Sequence, residues 1–330
     1  MNEGIPTPDT TEANYEISGF WRRVLAFLAD GIALGIFGAG LGLIWGDNFA
    51  HLGGWGRVIG FAIALPYFGL MNSSLCNGQT LGKRLARIKV IASDGRPLSI
   101  GRSFLRFGIL GVPYFLNGAP ISPEVMTTWL GSVLSVLVFG AGISIVYLYV
   151  FNRRTRQSLH DLIVGSYVVT STSNGAAPIK SELWRGHCAV AAIIILAALV
   201  APFIATQFAK NEPFSQLLSL QNSLMSETEV KYASVMAGKS TFTSSDKGTQ
   251  TQHNVTANVT LSRKVADYDP LADKLARIIL DNYPESQKQD AIVITISYGY
   301  DIGIASVWQN KNFAHSPSQW RERLGKTSAH

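Results

Sequence analysis

Long apolar runs separated by short polar segments dominate the first two thirds of the chain. Four of these runs approach the length of a helix that crosses a bilayer, about 17–25 residues; they cover 24–46, 57–75, 129–151 and 188–208. A fifth run, 103–118, is marginal in length and contains Arg106. The pattern predicts an α-helical integral membrane protein with about five transmembrane helices.

The basic segment after the second run has the pattern of a short amphipathic helix. Over residues 80–90, Leu81, Leu85 and Ile88 fall on one helical face with basic residues between them, which predicts a helix lying on the membrane surface. We expect its cations to contact anionic lipid headgroups, the alternative being that they only orient the chain. These cations are Lys83, Arg84, Arg87 and Lys89.

After residue 209 the pattern becomes that of a soluble domain. Residues 252–262 alternate between apolar and polar positions and are predicted as a strand. Helices are predicted over 213–237 and 269–282, and a hairpin is predicted with arms Ala291–Tyr298 and Ile302–Trp308. Mixed helices and strands of this kind predict a C-terminal soluble α+β domain.

The chain therefore divides into four predicted parts. Residues 1–19 are polar and are predicted to be a disordered cytoplasmic N-terminus. A membrane domain is predicted over 20–175, a fifth transmembrane helix over 188–209 and an extracytoplasmic α+β domain over 210–330. The first apolar run is long and contains an acidic residue, so we expect an uncleaved anchor in place of a signal peptide.

Charge changes this picture by giving the chain an orientation. Only 15% of the 330 residues are charged, against about 25% in an average soluble domain. Residues 76–106 carry seven basic side chains and one acid, whereas the loops 47–56 and 119–128 contain no Lys or Arg. Basic loops stay in the cytoplasm, which places the N-terminus inside and the C-terminal domain outside. This role explains the basic residues better than nucleic acid binding does.

An acidic residue inside the first run is the leading functional candidate. Asp30 follows Arg23 by seven residues, so both lie on one helical face, two turns apart. A carboxylate at this depth is costly and is usually functional. It could bind a proton or Na⁺ in a polar pathway, or it could fix helix packing. Arg106 could pair with Asp30, or its side chain could reach the membrane surface.

Other candidate chemistry is weak. His160 and Asp161 are adjacent, but further ligands for a metal are not evident in the sequence, and we expect Asp161 to pair with an arginine. The segment from Gly78 to Arg84 differs from a phosphate-binding loop in its spacing and lacks the Ser/Thr that follows the lysine. Cys76 and Cys188 form neither a metal spacing nor a disulfide framework. We therefore expect no metal, no cofactor and no enzymatic activity.

Several separated motifs resemble those of the RDD family of bacterial membrane proteins. The family is named for one arginine and two aspartates, which correspond to Arg23, Asp30 and Asp161. The resemblance covers about residues 17–170; Gly31 departs from it, since larger apolar residues usually follow the first aspartate. It rests on Gly19-Phe20-Trp21-Arg22-Arg23 with Ala26 and Asp30, on Gly78-Gln79-Thr80-Leu81-Gly82-Lys83-Arg84 with Lys89-Val90 and Asp94-Gly95, on Arg106, and on Arg154 with Gln157-Ser158-Leu159-His160-Asp161.

The resemblance implies a multi-pass protein of the bacterial inner membrane and leaves its activity open. Transport of unknown ligands has been suggested for the family, and some members are linked to Na⁺/H⁺ exchange. One hypothesis is therefore an ion or solute transporter with a polar pathway around Arg23, Asp30, Arg106 and Asp161, in which five spans require a homo-oligomer. The alternative is a membrane-anchored binding or assembly module whose residues 210–330 contact an envelope protein.

Overall fold

The computed structural model describes residues 15–121, 123–173, 183–244 and 248–327. They fall into two compact units. The first comprises the described residues of Met1–Ala39, Arg57–Pro202 and Gly303–Ala305, and the second those of Gly40–Gly56, Phe203–Ile302 and Ser306–His330. Each unit is built around its own buried apolar residues.

Apolar helices form most of the first half of the chain. Within the described residues, three stretches are long and apolar enough to cross a membrane, namely Phe20–Met71, Trp129–Phe151 and Arg185–Ala209. This confirms the predicted helical membrane protein. The chain up to residue 209 contains α1 (Phe20–Leu52), α2 (Gly56–Met71), α4 (Ile100–Leu116), the single turn α5 (Pro123–Met126), α6 (Trp129–Ser135), α7 (Ala141–Phe151) and α9 (Arg185–Ala209). A π-helical turn joins α6 to α7.

The helices that cover the five predicted runs differ in length and in how they are connected. The first stretch holds two helices, α1 and α2, which the 3₁₀ turn Gly53–Trp55 joins. Helix α4 covers the marginal fifth run and has 17 residues. At about 1.5 Å per residue it is shorter than the roughly 30 Å hydrocarbon core.

The predicted amphipathic helix over 80–90 is wrong beyond its first turn. Helix α3 covers only Leu81–Leu85, and Ile88–Ala92 form strand β1. Strand β1 pairs antiparallel with β2 (Ser166–Thr170), which follows the short helix α8 (Leu159–Val164). Ile88 and Val90 are fully buried in this core. Burial against a distant strand outweighs the local helical pattern.

Order begins before residue 20, where the sequence predicted disorder. Ile17 forms a β-bridge with Val169. The Ser18 amide donates to the Val168 carbonyl at 2.9 Å, and the Thr170 amide donates to the Glu16 carbonyl at 3.0 Å. Residues 15–19 thus extend the small sheet, and the rest of the predicted disordered segment lies outside the described residues.

The second unit contains the predicted α+β domain. Its four-stranded sheet has the order β3-β4-β5-β6, in which β4 and β5 are parallel and the other neighbours antiparallel. Leu220, Leu275, Ile292 and Trp320 are fully buried in its core. The elements are α10 (Phe214–Met225), β3 (Val230–Ser244), β4 (Gly248–Leu261), α11 (Asp269–Asn282), β5 (Ala291–Asp301), β6 (Ser306–His315) and α12 (Pro317–Thr327).

Three details of this domain differ from the sequence prediction. The helix predicted over 213–237 ends at Met225, because the following residues pair with β4 as a strand. Strand β5 continues to Asp301, so the hairpin turns after that residue. Helix α12 was not predicted; it is held by Trp320, whose indole N–H donates to the Ile292 carbonyl at 3.1 Å.

Candidate functional site

Asp30 anchors the start of helix α3 against helix α1. Its side chain is fully buried. Oδ1 accepts hydrogen bonds from the Tyr67 hydroxyl and the Gly82 amide, both at 2.7 Å, and Oδ2 accepts one from the Thr80 hydroxyl at 2.6 Å. Thr80 in turn caps α3 by accepting from the Lys83 amide at 3.2 Å. The carboxylate is therefore satisfied by three neutral donors and fixes packing.

Two glycines explain the motif that superficially resembles a phosphate loop. A Cβ atom on Gly82 would lie 2.0 Å from the Ala26 carbonyl oxygen and 3.0 Å from Cγ of Asp30. Gly78 has a φ of 72°, and a Cβ there would lie 2.2 Å from the Val90 carbonyl oxygen. These glycines permit close backbone approach to α1 and β1.

Arg106 pairs with Asp161 and not with Asp30, which corrects the cross-helix pair considered from the sequence. Its Nε and Nη2 donate to Asp161 Oδ1 at 2.9 and 2.8 Å, and the Ser166 hydroxyl donates to the same oxygen at 2.7 Å. Both charged side chains are buried. Burial would raise the pKa of Asp161, but the Arg106 guanidinium outweighs it and holds that pKa well below its usual range.

Arg23 binds backbone carbonyls and no carboxylate in the part of the chain that the structure describes. Nη1 donates to the Arg156 carbonyl, and Nη2 donates to the Val168 carbonyl at 3.0 Å. Its Nε has no hydrogen-bond partner among the described residues. Arg23 and Asp30 share a helix but hold different segments, so the two residues do not form one ion-binding site.

A cavity of about 260 Å³ brings together four of the eight charged residues that were predicted to form sites. We call it the basic cavity. One part of its wall is apolar and includes Phe27, Phe68, Phe107 and Val146. Its polar wall includes Arg23, Asn72, Lys83, Arg106, His160 and Asp161. Three permanent or near-permanent cations therefore face one carboxylate.

Lys83 belongs to this wall and not to the surface of an amphipathic helix, and its contact with anionic headgroups stays a prediction. Its ammonium lies 3.5 Å from the Thr80 hydroxyl and 5.9 Å from the centre of the Phe68 ring. Burial, reinforced by the Arg106 guanidinium, lowers the pKa of Lys83 to about 8. Arg84 and Arg87 are exposed and Lys89 is half-buried, so their contact with lipid stays a prediction.

Comparison with protein families identifies the segment that contains Arg23, Asp30, Arg106 and Asp161. Residues 17–165 match the model of the RDD family. We refer to this segment as the RDD domain. A relative is the uncharacterised protein YckC of Bacillus subtilis (strain 168), which is 27% identical over 166 residues, 48% of this chain and 87% of YckC. No solved structure matches the chain. The resemblance stated from the sequence is confirmed, and α9 and the C-terminal domain lie outside the family match.

The RDD domain uses several polar residues that sequence reasoning did not single out. Tyr67 and Thr80 hold Asp30, and Ser166 holds Asp161. One local signal was present: Ser158 and Asp161 form a capping box at the start of α8, and Ser-x-x-Asp is a recognisable spacing. The others have no local signal, because their partners are distant in sequence.

His160 places a neutral imidazole in the wall of the basic cavity. Burial lowers its pKa to about 4, although the Asp161 carboxylate opposes this shift. Its Nε2 lies 3.4 Å from Asp161 Oδ2, and its Nδ1 has no partner among the described residues. Since Nε2 faces a carboxylate, the neutral ring carries its proton there and Nδ1 is an acceptor.

This lowered pKa makes stability depend on pH. Below about pH 6.5 the unfolded chain protonates at His160, whereas the folded protein resists protonation until about pH 4. The contribution of neutral His160 to the free energy of unfolding is therefore complete above about pH 6.5. It is lost as the pH falls towards 4, by up to about 1.4 kcal/mol per pH unit. The free energy of unfolding in mixed micelles should fall less steeply in His160→Gln than in the wild type.

The exposed His253 offers a matched control for this measurement. The variant His253→Gln should follow the wild-type pH dependence. Equal slopes for His160→Gln and the wild type between pH 6.5 and 4 would show that His160 does not titrate as its burial requires.

Proposed function

We propose that the RDD domain binds a small anionic solute in the basic cavity and transports it across the membrane. One observation carries this proposal: buried cations outnumber carboxylates in the wall of a cavity that is large enough for a ligand. Intramembrane and membrane-edge charges without local compensation commonly mark substrate pathways.

The balance of charge favours an anion as the solute. Arg106 is neutralised by Asp161. Lys83 and Arg23 contact only hydroxyl and carbonyl oxygens among the described residues, and His160 is neutral at pH 7 because its pKa is about 4. Asp161 attracts both cations and Asp30 attracts Lys83, but Arg23, Lys83 and Arg106 outnumber these two carboxylates. An anion would compensate the remaining positive charge.

The same geometry argues against Na⁺ bound at Asp30. Sodium would need several free oxygen ligands, as hard cations generally do. Both oxygens of Asp30 already accept hydrogen bonds from Tyr67, Thr80 and Gly82. The polar pathway predicted around Asp30 is therefore better placed in the basic cavity, with Asp30 supporting the segment that carries Lys83.

Flux through liposomes tests this proposal. The full chain would be reconstituted, and the movement of radiolabelled inorganic phosphate, benzoate and fluorescent phosphatidylglycerol would be measured beside Na⁺-driven pH change. We expect at least one anion to move faster than in empty liposomes, and Lys83→Met to slow it by about tenfold or more, the effect of 1.4 kcal/mol at the site.

Arg84 provides the control, because it follows Lys83 in helix α3 but is exposed. Arg84→Met should leave the flux unchanged. The proposal fails if no anion moves, or if Na⁺-driven pH change is the activity and only Asp30→Asn removes it.

A binding function of the C-terminal domain is the second candidate. Tyr232, Met236 and Trp308 are exposed apolar residues of its sheet, and the strand register places all three on one face. Exposed aromatic residues of this kind are enriched in protein interfaces. Crosslinking from position 232 in intact cells tests it, and recovery of no partner would count against it.

The orientation is also a proposal. The basic segments 76–106 and 152–187 support a cytoplasmic position for both, with the C-terminal domain outside a bacterial inner membrane. Reporter fusions after residues 173 and 327 should give opposite signals. Equal signals would contradict this topology.

A further inference from the structure

We propose that the basic cavity holds the headgroup of an anionic glycerophospholipid with a free hydroxyl, whose hydrocarbon chains leave through the apolar rim of the cavity into the bilayer. This inference names the class of solute and rests on the proposed function for the identity of the site.

The first argument is charge. Lys83 and Arg23 line the cavity without a contacting carboxylate in the described part of the chain. The one carboxylate of the wall, Asp161, already accepts two hydrogen bonds from Arg106. A phosphate is the anion that such a pair of cations recognises best, because lysine acts on it as a point charge and arginine as a hydrogen-bonding fork.

The second argument is a set of buried polar atoms without partners. Arg23, Asn72 and His160 all belong to the cavity wall, and their Nε, Oδ1 and Nδ1 atoms are buried without a hydrogen-bond partner among the described residues. The three residues are only 6%, 1% and 5% exposed. Unpaired buried polar atoms are costly and call for a partner.

A ligand that pairs with these three atoms must supply both a hydrogen-bond acceptor and a hydrogen-bond donor. Arg23 Nε is a donor, whereas Asn72 Oδ1 and, with its proton on Nε2, His160 Nδ1 are acceptors. A phosphate oxygen satisfies the donor, and a headgroup hydroxyl satisfies an acceptor. A simple anion without a hydroxyl would leave the acceptors unpaired, so the pattern favours a phosphate that carries a hydroxylated group.

The third argument is the rim. Phe27, Leu28 and Val146 line the cavity and are also more than half exposed on the chain. All three lie in stretches that are apolar enough to cross a membrane, so their exposed surface meets hydrocarbon. The volume of about 260 Å³ far exceeds the ~10–15 Å³ that one water needs, but it is too small for a whole lipid. The chains must therefore remain in the bilayer.

Native mass spectrometry of the full chain in detergent tests this site. Dioleoyl phosphatidylglycerol is the probe, and dioleoyl phosphatidylcholine has the same chains without net charge or hydroxyl. We expect the wild type to retain phosphatidylglycerol selectively and Lys83→Met to weaken binding by tenfold or more. Arg153 is an exposed cation outside the cavity wall, so Arg153→Met should bind as the wild type does.

A second variant keeps the test decisive if Lys83→Met does not fold. Val146 faces hydrocarbon, so Val146→Trp should fold while its ring closes the rim and reduces lipid binding. Equal binding of phosphatidylcholine, displacement of the lipid by millimolar inorganic phosphate or glycerol 3-phosphate, or wild-type affinity in both Lys83→Met and Val146→Trp would each overturn the inference.

The binding and flux results separate the two proposals. Selective lipid binding without any flux would leave this site standing and remove transport. Flux of inorganic phosphate that depends on Lys83, without lipid binding, would leave transport standing and remove the lipid.

Discussion

Replacing Asp161 with alanine should destabilise the protein by about 3–5 kcal/mol, the usual loss when one partner of a buried ion pair is removed. Arg106 would keep its charge in a buried site, and the Ser166 hydroxyl would lose its acceptor at the same time. The free energy of unfolding in mixed detergent micelles measures this loss. Flux or binding measured without that check would mistake an unfolded protein for an inactive one.

Two further variants show whether loss of the buried ion pair causes the destabilisation of Asp161→Ala. Asp94 is an exposed carboxylate that accepts a hydrogen bond from the Arg96 amide, so Asp94→Ala should cost much less. The double variant Arg106→Met with Asp161→Leu should recover most of the stability, because an apolar pair of similar volume often replaces a buried ion pair at little cost. A double variant that costs the sum of the two single changes would contradict the pairing.

Replacing Asp30 with asparagine should give the second large loss of stability. Three donors converge on the carboxylate, and an amide group would turn its own N–H groups towards at least one of them. One hydrogen bond to a charged group contributes about 1.5–3 kcal/mol, and we expect a loss at least of that size. The same unfolding measurement detects it.

Asp47 is the matched control, since it lies on the same helix α1 and is exposed. Among the described residues its carboxylate accepts one hydrogen bond, from the Tyr298 hydroxyl at 3.0 Å, so Asp47→Asn should lose less than about 1.5 kcal/mol. If Asp30 is structural, the folded fraction of Asp30→Asn retains flux. Wild-type stability with complete loss of flux would instead make Asp30 a residue of the transport pathway.

Several features of the candidate site could be predicted because they are local. The apolar run predicts Asp30 as a buried acid, the motif around Asp161 predicts an arginine partner for it, and both acids are buried. The arginine expected beside Asp161 is Arg106, but the pairing itself was not predictable. These residues are 55 positions apart, and the register of α4 against α8 depends on packing that no short window of sequence contains.

The position of Lys83 also could not be predicted from the residues near it in sequence. Its neighbours Leu81 and Leu85 suggested a surface helix, and helical periodicity alone gave no reason to turn Lys83 inwards. Two distant contacts do so: Asp30 binds the Gly82 amide, and Gly82 allows the backbone to approach Ala26. The strand Ile88–Ala92 likewise depends on a partner more than seventy residues later.

By itself, the sequence determined that the chain enters a membrane as helices, that its last third is an α+β domain and that residues 17–165 resemble the RDD family. Hydropathy, short-range periodicity and motif order are properties of neighbouring residues. The tertiary structure alone decided which charges meet, which are compensated and which face a cavity. Ion pairing and burial depend on atoms brought together from distant segments, and their free energy is absent until those segments pack.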